Sequence, residues 1–376
     1  MKLTALISAL LVAFTLGCTI PFNNLAFRSN ETHSSAQIVQ EALQKSIDGG
    51  LAWTEVVKEY TTNPRKPWPR PYDETVTRIE YCYANSYTEY ALKHLVESAL
   101  RVWTDRIGEP NAYNGHSLGI YQSPITNPQQ PYCFWNVHPG DPAARQWSNS
   151  HPFETVVIEA VSNAFSSDAE ASVGYDTNTN AAGRHSLLIN LSAWKNEDLV
   201  YVIAHEFGHI FGFYHEHQRE DRDHYLDFQC HLLIGYDQIK ALVENRGQHT
   251  MEEVCTNPVL SRFYGWMAHS YSKEEMWDVL GNWKRYGSEG LDLSSIMLYN
   301  SWLNLPGNVD QPTWYNAPIV RWSVSYVENP PPYRSGTLCQ AYPPIRTVSD
   351  GDYTGIKFIY PWKDDSPSKG NASNGH

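Results

Sequence analysis

Basic residues are the scarce class in this chain. Its 28 Lys and Arg are outnumbered by 41 Asp and Glu, for a net charge of −13 over 376 residues, and they form no stripe or cluster. Phosphate binding needs clustered positive charge, so a nucleic-acid partner is excluded. Long apolar runs are scarce too. After Leu16 no stretch approaches the roughly 18 apolar residues of a spanning helix, so no membrane span is expected in the mature chain. Internal repeats are absent. Charged residues reach only 18% while aromatics reach 13%, a balance that rules out a wholly disordered chain. The length suits one large domain or two of ordinary size.

The one long apolar run opens the chain: MKLTALISALLVAFTLGC, with Lys2 ahead of it and small residues behind. Residues 1–18 read as a secretory signal peptide, which implies an extracellular location. A buried amino-terminal helix is the competing reading, and Leu16-Gly17-Cys18 faintly resembles a lipoprotein cleavage box. Without Cys18, the cysteines are Cys82, Cys133, Cys230, Cys255 and Cys339. In an oxidising compartment these predict two disulfides and one odd thiol. The pairing stays open, with Cys230 to Cys255 as the local possibility. Asn30, Asn190 and Asn371 begin glycosylation sequons, of which Asn190 is the weakest because it falls in an expected strand.

Residues 19–70 are polar with weak helical periodicity and read as a pro-segment or amino-terminal extension. Within them NPRKPWPRPY holds four prolines between positions 64 and 71, which argues against regular structure and marks a boundary. Arg65-Lys66 is a candidate processing pair. The folded unit is expected over 71–362, and residues 363–376 should form a disordered tail. Strands are predicted at 75–84, 153–161 and 185–192. A helix is predicted over 88–108, with Leu92, Leu95, Val96, Ala99 and Trp103 on one face. A second runs over 198–211, capped by Asn196 or Asp198, with Leu199, Val202, Ile203 and Ile210 facing a core. Beyond 224 periodicity fades, apart from pieces at 236–245 and 274–280 and a carboxy-terminal helix carrying Tyr353, Ile356, Ile359 and Tyr360.

The second helix ends in HEFGHIFGFYHEHQREDRD, residues 205–223. His205 and His209 are four apart, so their rings share one face and can bind one ion. Glu206, beside the first ligand, can reach a metal-bound water rather than the metal. Gly212 can end the helix with a sharp turn, and the turn brings back His215 as a third ligand. A solvated helix end with incidental histidines is the bland alternative. The full spacing would arise by chance in on the order of one such chain in ten thousand.

The spacing H-E-x-x-H-x-x-G-x-x-H resembles the zinc signature of the metzincin metalloproteases. Its continuation through Phe213, Glu216, Arg219, Asp221, Arg222 and Asp223 is similar to that of the astacin branch. SSIMLYN supplies a Met-turn with Met297 and Tyr299. Leu298 departs from the usual His there, and Trp68-Pro69 is similar to the start of mature astacins. The resemblance implies an α+β, two-lobed zincin fold. Its amino-terminal lobe would hold a mixed twisted sheet with two long helices; its carboxy-terminal lobe would be irregular, with the Met-turn and a terminal helix.

It further implies a secreted monomeric zinc endopeptidase acting on protein or peptide substrates, with one Zn²⁺ per chain on His205, His209 and His215. Glu206 would be the general base. Tyr299 would be a mobile extra ligand that hydrogen-bonds the oxyanion, and Met297 an apolar floor. Glu216 would receive the freed amino terminus. His217 and His224, off the signature spacing, are expected to be solvated. The pro-segment motif Phe-x-Gly-Asp of the family is missing, Asp48 being a poor substitute. Three ligands leave a coordination position open, where a structural zinc would want four. Zinc occupancy should fall below about pH 6, where ordinary histidines protonate. Alternatives are a non-catalytic zinc-binding or adhesion protein on the same scaffold, and a hydrolase of peptidoglycan or another non-protein amide.

Overall fold

A computed structural model describes residues 65–363 apart from 72–73, 136–144, 162–168, 178, 192–195, 274–289, 308 and 325–326. The expected signal peptide, nearly all of the expected pro-segment, the tail, the helical piece at 274–280, Asp48 and the sequons at Asn30 and Asn371 lie outside these residues.

In chain order the strands are β1 (Arg65–Lys66), β2 (Thr77–Tyr83), β3 (Leu118–Gln122), β4 (Phe134–Trp135), β5 (Gln146–Trp147), β6 (Val156–Val161), β7 (Ala169–Ala171), β8 (Tyr175–Asp176), β9 (Ser186–Asn190), β10 (Leu226–Phe228), β11 (Ile319–Trp322) and β12 (Cys339–Gln340). The helices are α1 (Ser86–Ile107), α2 (Asn196–Ile210), α3 (Tyr236–Arg246), α4 (Met251–Thr256), α5 (Pro258–Phe263) and α6 (Asp350–Ile359).

The main sheet has the order β3-β2-β6-β9-β7, parallel except for the antiparallel edge strand β7. Along β2, Thr77, Ile79 and Tyr81 are buried while Arg78 and Glu80 point away, the period-2 signature of a strand with one core face. The alternation breaks at Cys82 because a disulfide to Cys133 covers the second face there, together with Val157, Phe134 and Trp147. Two helices lie side by side on the core face. Asn85 caps α1 by accepting the Thr88 N–H (2.9 Å), and Gly108 ends it at φ 74. Leu92, Leu95, Val96, Ala99 and Trp103 are its buried face, as the periodicity predicts. Trp103 Nε1 donates to the Ala204 carbonyl (2.7 Å), fixing α1 against α2.

A second core gathers Leu226, Leu260, Trp266, Tyr271, Ile319 and Tyr342 in the carboxy-terminal lobe. That lobe is less irregular than expected. It holds α3, α4 and α5, the antiparallel sheet β10-β11-β12 and the Cys230–Cys255 disulfide. Cys339 is the odd thiol, and it is buried. The chain then returns: Ile356, Ile359 and Tyr360 of the last helix join the first core.

The proline-rich segment is packed from Arg65 onward, ahead of the expected boundary. Arg65 and Lys66 keep their backbone donors between prolines, and they pair antiparallel with Asp176 and Tyr175. Trp68 is buried, and its indole N–H donates to the Ile210 carbonyl at 2.7 Å.

Candidate metal centre

α2 carries His205, Glu206 and His209, all buried. Gly212 then takes φ 98, a value that L side chains rarely adopt, and its N–H bonds back to the His209 carbonyl at 2.8 Å. That turn carries the chain round to His215. Gly208 has its own reason to be glycine. A Cβ there would collide with Met297 Sδ, so the missing side chain lets the methionine close against the helix.

The three rings stand 4.6 to 5.2 Å apart by centroid, and one nitrogen of each lies within 4.8 Å of the others. Each Nδ1 faces an acceptor: the Ile296 carbonyl for His205, the Phe213 carbonyl for His209 and Gln218 Oε1 for His215, all at 2.8 Å. An oxygen of that kind only accepts, so each Nδ1 carries the proton and each Nε2 a lone pair. Burial pushes His205 down to about 4 and His209, with His205 beside it, to about 3. It also drives His215 well below the ordinary value, so the rings are neutral.

The Nε2 atoms of His209 and His215 therefore point lone pairs at each other across 3.1 Å, and the buried His205 Nε2 has no hydrogen-bond partner. Lone pairs converging without a proton call for a cation. The spacing is close to the roughly 3.3 Å between two nitrogens on a tetrahedral zinc, so the residues present fit that ion.

Tyr299 arrives on the Met-turn, its ring 4.4 Å from His215 and 6.3 Å from His205. The turn alternates between the two cores: Ile296 and Met297 pack in the first, Leu298 and Tyr299 in the second. Leu298 thus points into the carboxy-terminal core. Glu216 is buried, and one of its oxygens accepts the Asp292 N–H at 2.7 Å.

His217 corrects the expectation of a solvated ring. It is fully buried, donates from Nε2 to the Ser270 carbonyl (2.8 Å) and stacks on Tyr299 with centroids 4.1 Å apart. His224 is half-buried, its Nδ1 bonded to the Val327 carbonyl at 2.8 Å. Among the charged residues after His215, Arg222 is buried and donates to the carbonyls of His217 and Tyr271. Arg219 pairs with Asp221, and Asp223 with Lys273. Two residues of the site escape the sequence pattern: Gln218, which orients His215, and Asp352, which holds the Met-turn. The first lies three residues from its histidine, within reach of a local search; the second is distant in sequence.

A helix-borne H-E-x-x-H joined by a third histidine after a glycine turn, over a methionine from a distant loop, defines the zincin class of metalloprotein. The family model for the astacin peptidases matches residues 178–254. That segment includes α2, the glycine turn and all three histidines, and over it the chain is similar to the astacin family. Zinc metalloproteinase nas-39 of Caenorhabditis elegans is 51% identical over 48 residues, which are 12% of this chain and 5% of that protein's length. Among solved structures, the hatching enzyme zinc-protease HCE-1 of Oryzias latipes (medaka) aligns over 81% of this chain and 98% of its own, at 16% identity and a TM-score of 0.40. Myroilysin aligns over 79% and 97%, at 13% identity and a TM-score of 0.35.

Proposed function

We propose that this chain is a secreted, zinc-dependent endopeptidase of astacin type, a monomer acting on peptides or proteins outside the cell, with one zinc held by His205, His209 and His215. The observation that carries the reading is the convergence of three neutral imidazoles, each turned by an acceptor on its Nδ1 so that Nε2 faces a common point. Zinc at that point would polarise the scissile carbonyl and acidify a water enough for attack near neutral pH. Glu206, buried beside His205, takes the proton of the attacking water and passes it to the leaving amine. Tyr299 donates its phenolic hydrogen to the carbonyl oxygen as negative charge develops there. Residues 1–18 are the leader and 19–70 the pro-segment or extension, whose end, at Arg65, Lys66 and Trp68, packs against the catalytic unit. Catalysis belongs to 71–362, and 363–376 form the tail. Two disulfides accord with an oxidising compartment.

The test is casein or gelatin cleavage by the purified chain and by Glu206→Gln. Wild-type activity should vanish with a chelator and return with Zn²⁺. Glu206→Gln should lose about 10²–10⁴-fold in rate while elemental analysis still finds one zinc per chain. Undiminished cleavage by the variant would refute the mechanism. A zinc-loaded wild type that cleaves nothing would favour a non-catalytic binding protein on this scaffold.

A further inference from the structure

We infer that Asp352, at the start of the last helix, is the positioning residue that orients the ligand His205, acting through the backbone of the Met-turn. The assignment rests on the proposed zinc site. His209 and His215 each find their Nδ1 acceptor nearby, four residues away at Phe213 and three at Gln218. His205 does not. Its acceptor, the Ile296 carbonyl, lies 91 residues away on a turn without helical or strand structure. The direction of the His205 ring is therefore only as well defined as the position of that peptide.

Asp352 defines it. The buried carboxylate accepts three hydrogen bonds: from Ser295 Oγ (2.6 Å), from the Ile296 N–H (3.0 Å) and from the Ser349 N–H (2.9 Å). Only the last belongs to the capping box of α6. The other two leave the helix and grip the turn on the residue whose carbonyl meets His205 and on the residue before it. Ser295 Oγ in turn accepts the Met297 N–H at 3.0 Å, so the grip extends to the methionine under the site. Glu216 holds the opposite side: its N–H donates to the Met297 carbonyl (3.1 Å) and its carboxylate accepts from Asp292. A carboxylate serving only as a helix cap has no need of two donors from a turn 56 and 57 residues earlier. Groups that orient metal ligands at one remove set affinity strongly.

The experiment measures the Zn²⁺ dissociation constant of the full chain, stripped and reloaded in competition with a chromophoric chelator, alongside melting of the metal-free form. Asp352→Asn keeps the shape but turns an N–H₂ group toward donors. Ser295→Ala removes a grip on the turn and leaves the α6 cap whole, so it serves even where Asp352→Asn fails to fold. Thr250→Ala breaks the capping box of α4 and is the control for lost stability alone. Asp352→Asn should weaken zinc binding about 10–100-fold and Ser295→Ala in the same direction, while Thr250→Ala melts lower with unchanged zinc affinity. A folded Asp352→Asn or Ser295→Ala chain within twofold of wild type overturns the assignment, as does an equal loss of zinc affinity in Thr250→Ala. A wild type that takes up no Zn²⁺ overturns the proposed function as well.

Discussion

At the three histidines proposed to hold zinc, excluding water has two consequences. It leaves Nε2 lone pairs with few competing partners, and it holds the rings neutral far into acid, with His205 at about 4 and His209 at about 3. Exposed histidines would release a metal near pH 6; these neutral ligands should keep theirs well below it. The sign for stability follows from linkage. A histidine whose pKa drops on folding binds more protons in the unfolded chain, so its stabilising contribution is present above about 6.5 and is lost as pH falls toward the folded value. Melting of the metal-free chain between pH 7 and 5 should therefore shift downward with acid. A melting temperature that holds level or rises over that window would show that the rings are not buried neutral. His217 contributes in the same direction, since burial also pushes it well below its ordinary value.

Among the elements, the turn at Gly212 is where geometry most constrains residue choice. Space around it is open: a Cβ there would find its nearest atom, the Gly174 Cα, at 4.0 Å, so the cost of a side chain is one of backbone conformation. Gly212→Ala should cost about 1–2 kcal/mol in denaturant unfolding and weaken zinc binding, because His215 depends on that turn. Unchanged zinc affinity would mean the loop reaches His215 by another backbone path. Much of this is legible in the sequence. Leu92 to Trp103 and Leu199 to Ile210 repeat with helical period, and histidines at offsets of four and six need only helix geometry and one glycine. β3, inside a stretch rich in Gly, Pro and Asn, is not legible, since five residues with a glycine at the second position carry little period-2 signal. Nor is the burial of His217. Its ring is covered by Tyr299 and Ser270, 82 and 53 residues away, and nothing near it in the chain announces them.

Across the whole molecule, each lobe carries its own disulfide, Cys82–Cys133 in the first and Cys230–Cys255 in the second. Reducing both should lower stability by about 3–4 kcal/mol per bridge on loop-closure grounds, measured by denaturant titration with and without reductant. Cys339, 1% exposed, should react with a thiol reagent only on unfolding, and prompt labelling of the native chain would contradict that burial. One further tie spans nearly the whole described chain. Trp68 Nε1 donates to the Ile210 carbonyl, Tyr360 Oη donates to the Phe211 carbonyl at 2.8 Å, and the Trp68 N–H reaches Tyr360 Oη at 3.3 Å. α2 is thus finished by two residues 292 positions apart. A ribosome makes Trp68 early and Tyr360 late, so during synthesis the end of α2 waits for an anchor that does not yet exist. The carboxy end of α2 is therefore capped on both sides only once Tyr360 has been made and has folded back onto it.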